Sequence, residues 1–173
     1  LMRVSASGGA ASAAAAFGEG GVTQRWPQAL PGGQAVLFTE HSTTVNWNAA
    51  NLVVAPLSGG APKVVVRGGH YGRYVPSGHL IYLQQGTLFA VRFDLTRLET
   101  VGTAVPALEG VAGSTTSGGA QVAVSSEGTL VYVPGTVETG RIRDSHRTAR
   151  SWRSTSPTAS SVTSGCTSGR ATG

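Results

Sequence analysis

Pro76-Ser77-Gly78-His79-Leu80-Ile81-Tyr82 is the most informative segment of this chain, because its design occurs twice more. Pro31-Gly32-Gly33-Gln34-Ala35-Val36-Leu37-Phe38 precedes it, and Ser126-Glu127-Gly128-Thr129-Leu130-Val131-Tyr132 follows it. Each is a short turn ending in glycine that leads into an apolar run closing on an aromatic residue. Gly33, Gly78 and Gly128 read as structural turn glycines, spaced 45 and 50 residues apart, because tight turns need the positive φ that glycine adopts at little cost. A period of about 40–50 residues built from strand-like pieces marks a repeat array. In such an array one unit cannot bury its faces alone and must stack on its neighbours.

A second repeat lies outside the first. Leu1-Met2-Arg3-Val4-Ser5-Ala6-Ser7-Gly8-Gly9 has a counterpart 51 residues on, Leu52-Val53-Val54-Ala55-Pro56-Leu57-Ser58-Gly59-Gly60. A third relative, Leu88-Phe89-Ala90-Val91-Arg92-Phe93-Asp94-Leu95, replaces the glycine pair with a polar turn over residues 94–98. Residues 36–39, 52–55, 63–67, 80–83, 87–93, 105–108, 121–124 and 129–133 are short and rich in β-branched or aromatic residues. Gly, Pro, Ser or Asn bounds each of them, as strands require. None reaches the about 10–12 residues of amphipathic periodicity that favour a helix. Residues 10–21, rich in Ala, Ser and Gly, read as a variable loop.

The expectation is therefore an all-β chain: a β-propeller fragment of about two complete four-stranded blades plus partial blades at both ends. The blades fall at about 24–69 and 70–112, the partial ones at 1–9 and 118–136. Closed propellers have about 4–8 blades, so the chain reads as part of a larger ring. An antiparallel sandwich with loosely matched glycine-plus-strand repeats is the competing reading.

Composition narrows the function classes. Charged residues make up only 12% of the 173 residues, and there are 25 Gly and 8 Pro, which suits a turn-rich chain of short elements. A single cysteine, Cys166, excludes an internal disulfide framework and a cysteine zinc cluster. No run reaches the about 18 apolar residues of a membrane span, so no membrane insertion by this chain is expected. No apolar stretch of signal-peptide length follows Leu1, and the start reads as the middle of a longer protein. The net charge of +5 belongs to the end of the chain. Residues 1–136 carry seven Lys and Arg against six Asp and Glu, whereas 137–173 carry six Arg against Glu138 and Asp144. With fifteen Ser or Thr, residues 137–173 read as a disordered Arg/Ser/Thr-rich tail. Their abrupt loss of periodicity also fits out-of-frame translation of GC-rich DNA.

Two segments carry a family likeness. One is Arg25-Trp26-Pro27-Gln28-Ala29-Leu30-Pro31-Gly32-Gly33 with Ala35–Phe38. The other is Gly68-Gly69-His70-Tyr71-Gly72-Arg73-Tyr74-Val75-Pro76-Ser77-Gly78, with residues 79–82 and 86–94 after it. Both resemble the blade openings of TolB-like, WD-repeat-like propellers, as found in the C-terminal region of bacterial serine/threonine protein kinases. The resemblance covers residues 1–136 and rests on turn and strand positions. It implies a ligand-sensing or protein-interaction module of a larger bacterial signalling protein. The parent would be membrane-anchored with an extracytoplasmic propeller, or otherwise cytoplasmic. The alternative is a propeller segment accompanying a serine peptidase or other hydrolase domain.

Catalysis within this chain is not expected. Kinase loops and a Gly-x-Ser-x-Gly elbow are both missing from the sequence. His41, His70, His79 and His146 lack metal spacing, and neither a metal nor a cofactor is expected. The candidate ligand-binding residues are Arg25, Trp26, His70, Tyr71 and Arg73. Trp26 and Tyr71 lie 45 residues apart at equivalent places before the Pro-x-Gly turn, and Arg over an aromatic face suits an anionic or peptide ligand. The competing reading is structural, with both aromatics wedged between blades and Arg73 covering them. Trp47 reads as an exposed contact in a hairpin loop or as packing for the next blade. A protein or peptide partner is expected, with a small ligand possible in kind. Nucleic acid is not, because the arginines of the tail are dispersed and no recognition module is present.

Overall fold

The computed structural model describes residues 1–135. The expected disorder or frame change over 137–173 lies outside the described residues. Twelve strands follow one another: β1 (Met2–Arg3), β2 (Ser12–Ala13), β3 (Thr23–Ala29), β4 (Ala35–His41), β5 (Asn51–Pro56), β6 (Lys63–Arg67), β7 (His70–Val75), β8 (His79–Gln84), β9 (Thr87–Asp94), β10 (Glu99–Leu108), β11 (Val122–Val124) and β12 (Leu130–Tyr132). Among the described residues the only helical turn is a 3-10 turn at Trp47–Ala49. The chain is all-β, as its punctuation predicts.

Pairing is antiparallel throughout and follows chain order. β3-β4-β5-β6 and β7-β8-β9-β10 are four-stranded meanders, while β1-β2 and β11-β12 are two-stranded. The glycine turn joins the first two strands of each meander: the N–H of Gly33 donates to the Leu30 carbonyl at 2.9 Å and that of Gly78 to Val75 at 3.0 Å. Gly128 repeats this with Ser125 at 3.1 Å. All three glycines have φ between 66° and 84°.

The four sheets stack in sequence order with an apolar layer between each pair. Leu1 and Ala15 pack against Val36, Phe38, Val53 and Ala55. Leu37, Leu52 and Val54 of the first meander meet Leu80, Tyr82, Val91 and Phe93 of the second. Ile81, Leu83 and Leu88 on the other face of the second meander meet Val111, Ala120 and Val122. Strand geometry causes this, since successive side chains point to opposite faces. A strand between two layers is therefore buried on both faces: all seven residues of β4 are buried, Ala35–Phe38 apolar and Thr39, Glu40 and His41 hydrogen-bonded.

Polar links set the lateral placement. The Gln28 side chain donates to the Tyr74 carbonyl (3.1 Å) and accepts from the Tyr74 N–H (2.7 Å), which ties β3 to β7. At the other margin Lys63 of β6 pairs with Glu99 of β10 at 2.8 Å. That pair is solvated and contributes little.

Three features depart from expectation. The loop expected over residues 10–21 contains β2. β10 begins at Glu99 rather than 105, and the polar turn before it is held by Asp94, whose Oδ1 accepts from the Thr96 and Arg97 N–H groups. β3 and β7 are strands that the alternation hides. Each is bulged at the same place, with a register shift between Arg25 and Gln28 and between His70 and Arg73. The bulge residues Trp26 and Tyr71 both have φ of 56°, an uncommon backbone for bulky side chains.

Candidate functional site

The two bulges and one loop of the fourth sheet, β11-β12, build the site. Residues 110–112 run beside the end of β12, with the Ala112 N–H donating to Val133 at 3.0 Å. The chain then leaves that sheet at Gly113 and rejoins it at Ala120, the two forming an isolated bridge. Between them, residues 114–119 reach back to the two meanders.

Three successive carbonyls of this loop are held. Trp47 Nε1 donates to the Thr116 carbonyl at 3.2 Å. Trp26 Nε1 and Arg25 Nη1 both donate to the Ser117 carbonyl, at 3.1 and 3.2 Å. His70 Nδ1 lies 2.8 Å from the Gly118 carbonyl and so carries the proton. The Arg25 guanidinium sits 4.7 Å above the Trp47 ring. Four donors from two sheets thus close on one turn of a third.

His70 is fully buried, and its Nε2 has no partner among the described residues. Burial holds the imidazole below its ordinary value of 6.5, with the Gly118 hydrogen bond acting the other way. The folded chain therefore takes up this proton less readily than the unfolded chain. Stability is full above about pH 6.5 and falls as pH drops below it, because protonation then favours unfolding. Melting followed between about pH 8 and about pH 5 should show this fall, and His70→Gln should flatten it. An unchanged slope in the variant would remove His70 as the cause.

Trp26 and Tyr71 meet edge to face with centroids 5.4 Å apart, a favoured aromatic geometry. The Arg73 guanidinium stacks 4.2 Å above the Tyr71 ring. Its Nη1 donates to the Trp26 carbonyl at 2.8 Å and the Gly72 carbonyl at 2.9 Å. Its Nε and Nη2 have no partner among the described residues. Beside them lies a cavity of about 270 Å³ lined by Gln28, Tyr71, Arg73, Tyr74 and residues 122–124, among others. A second hollow of about 360 Å³ shares Tyr71 and Val122 with it. A third, of about 420 Å³, shares Gln28, Tyr74 and Val124. Together they form a groove along the margin where β7 faces β11.

The structure brings all five expected residues into one neighbourhood, but they differ in what they face. Arg25, Trp26 and His70 are directed at the loop carbonyls, while Tyr71 and Arg73 line the groove. Trp47 occupies the β4–β5 connection and is fully buried, so it is a packing residue and not an exposed contact. The sequence reading missed Gln28 and loop 114–119. One signal for the loop was present: residues 113–117 fit neither blade, and Gly118-Gly119 follows at once.

Among the described residues no group of three or more His, Cys, Asp or Glu is placed to hold a metal ion. No helix of the described residues is long and apolar enough to cross a membrane. Neither a protein-family model, nor a curated protein, nor a solved structure matches this chain.

Proposed function

We propose that this chain is a non-catalytic recognition module built from propeller-type blades, part of a bacterial signalling protein of the serine/threonine kinase kind. Its groove takes an extended, acidic peptide segment. The observation that carries this reading is the groove beside Arg73, where a guanidinium whose Nε and Nη2 have no partner among the described residues stands between Tyr71, Tyr74 and the apolar wall of β11. A stacked guanidinium whose geometry is already fixed loses little freedom on pairing with a carboxylate. The apolar wall gives flanking side chains somewhere to bury.

The blade reading has its own support. Four sheets follow one another with three apolar layers between them, whereas a sandwich has two sheets and one layer. The paired bulges at Trp26 and Tyr71 occupy the same position in consecutive meanders, as in a repeated unit. Rigid display of loops and inner-strand edges is what such a stack offers a partner.

Selection of a displayed peptide library on the purified chain tests the proposal. Enriched peptides should carry Asp or Glu beside apolar residues. Arg73→Gln should weaken their binding about tenfold or more, the loss expected for a charge-assisted hydrogen bond, measured at a temperature below the melting transition of the variant, which also loses the hydrogen bonds of Arg73 to the Trp26 and Gly72 carbonyls. Peptides that bind equally well to Arg73→Gln would overturn the assignment of the groove.

A further inference from the structure

We infer that the peptide in this groove is gripped through its main chain by Val124, with its acidic side chain on Arg73. This rests on the recognition reading proposed above and adds how the ligand is held. One sheet earlier the chain itself fills the same place. Gln28 of β3 accepts from the Tyr74 N–H at 2.7 Å and donates to the Tyr74 carbonyl at 3.1 Å. Its amide thus does for β7 what a paired strand residue would do. Gln28 and Arg73 are 45 residues apart, the spacing of Gly33 and Gly78. Tyr74 and Val124 are 50 apart, the spacing of Gly78 and Gly128. Arg73 therefore stands to Val124 as Gln28 stands to Tyr74. A guanidinium has no acceptor and cannot repeat the clasp. Arg73 instead turns its Nη1 back to the Trp26 and Gly72 carbonyls.

The backbone of β11 is oriented to receive a substitute. The Val133 N–H donates to the Gln121 carbonyl and the Ser125 N–H to the Thr129 carbonyl, both at 2.9 Å. Ala123 pairs with Val131 between them. Residues 121, 123 and 125 thus turn to β12, and alternation turns Val122 and Val124 to the opposite edge. The Tyr71 hydroxyl agrees with this, donating to the Val122 carbonyl at 3.4 Å. The Val124 N–H and C=O have no partner among the described residues. The same edge occurs in both complete sheets, because β3, β7 and β11 are each the first strand of their sheet. It is the edge of β7 that Gln28 clasps.

Arg73 and Val124 line one cavity of about 270 Å³. The Nε–Nη2 edge of a guanidinium matches two carboxylate oxygens. A donor and an acceptor on a strand edge match the N–H and C=O of one extended residue. Val124 also borders the hollow of about 420 Å³, where Leu30, Pro31 and Pro76 form an apolar wall. An extended chain paired at Val124 sets an acidic residue on the Arg73 side and an apolar one against that wall. These two flank the paired residue and share a face, since alternate side chains point the same way. The ligand is an extended peptide with acidic and apolar residues two positions apart.

Amide hydrogen exchange on the 173-residue chain reads the open edge without a ligand. The Val124 amide should exchange about tenfold or more faster than that of Ala123, which is tied to β12. Equal protection of the two would overturn the inference. Arg73→Gln restores the clasping amide and should slow exchange at Val124 relative to Ala123. No slowing there would overturn the equivalence with Gln28 that carries the pairing. Peptides selected on the chain should show the acidic and apolar residues two apart, and their binding should slow Val124 in the parent. N-methylation of the residue between those two should weaken binding about tenfold or more. N-methylation of either flanking residue should not, because their N–H groups point away from β11. Peptides that need Arg73 yet tolerate the central methyl group would overturn the main-chain grip and leave the groove reading standing. Peptides indifferent to both changes would overturn the two together.

Discussion

Trp47→Ala should lower the free energy of unfolding by about 3–5 kcal/mol, the range for removing a large aromatic from a core. Trp47 is fully buried in a one-turn connection between β4 and β5, with no strand of its own to hold it. Its indole instead serves three partners. It underlies Arg25, lies 5.4 Å from the His41 ring and donates to the Thr116 carbonyl. Truncation leaves a cavity and frees loop 114–119 from its deepest anchor. Against a total stability of about 5–15 kcal/mol for a typical domain, the variant should melt far below its parent or fail to fold. Gly118 gives a sharper test of the same contact. It has φ of 68°, and a Cβ there would collide with the Trp47 ring. Gly118→Ala should therefore be destabilising alone, and its steric part should largely vanish when Trp47 is already alanine. Denaturant titrations of the two single variants and the double variant would measure this coupling. Strict additivity would mean that the loop does not rest on Trp47.

Leu52→Ala should cost about 2–5 kcal/mol, the range for buried leucines. Leu52 is fully buried in the layer between the two meanders. It packs over Gly72 at the bulge of β7, where a Cβ would approach its methyl carbons to 2.9 Å. Gly72→Ala should cost about 1–3 kcal/mol by overpacking. Combining it with Leu52→Ala should recover part of that loss, because the added methyl then enters vacated space. A double variant no more stable than the sum of the single changes would show that the meanders do not stack through this contact. The prediction separates stability held between sheets from stability held within one.

Much of the fold is legible in local pattern. Turn glycines at 33, 78 and 128 and the apolar runs after them mark β4, β8 and β12, because positive φ and period-two alternation are properties of neighbouring residues. β3 and β7 escape that reading. Their bulges break the alternation, and Trp26 and Tyr71 adopt a backbone that their side chains do not advertise. The candidate site divides in the same way. Equal spacing singled out Trp26 and Tyr71 as equivalent, and the pairing of Arg73 with Tyr71 joins near neighbours in sequence. The partners of Arg25, Trp26 and His70 are 92, 91 and 48 residues away, in a loop of small polar residues that looks like any connection.

The one-dimensional pattern set the all-β class, the period and the turns, since backbone preference and alternation act over a few residues. Stacking set the rest. The burial of His70 and Trp47, the use of Gln28 to tie two strand edges and the need for glycine at 118 come from sheets meeting face to face. Those contacts join residues that carry no mark of one another along the chain.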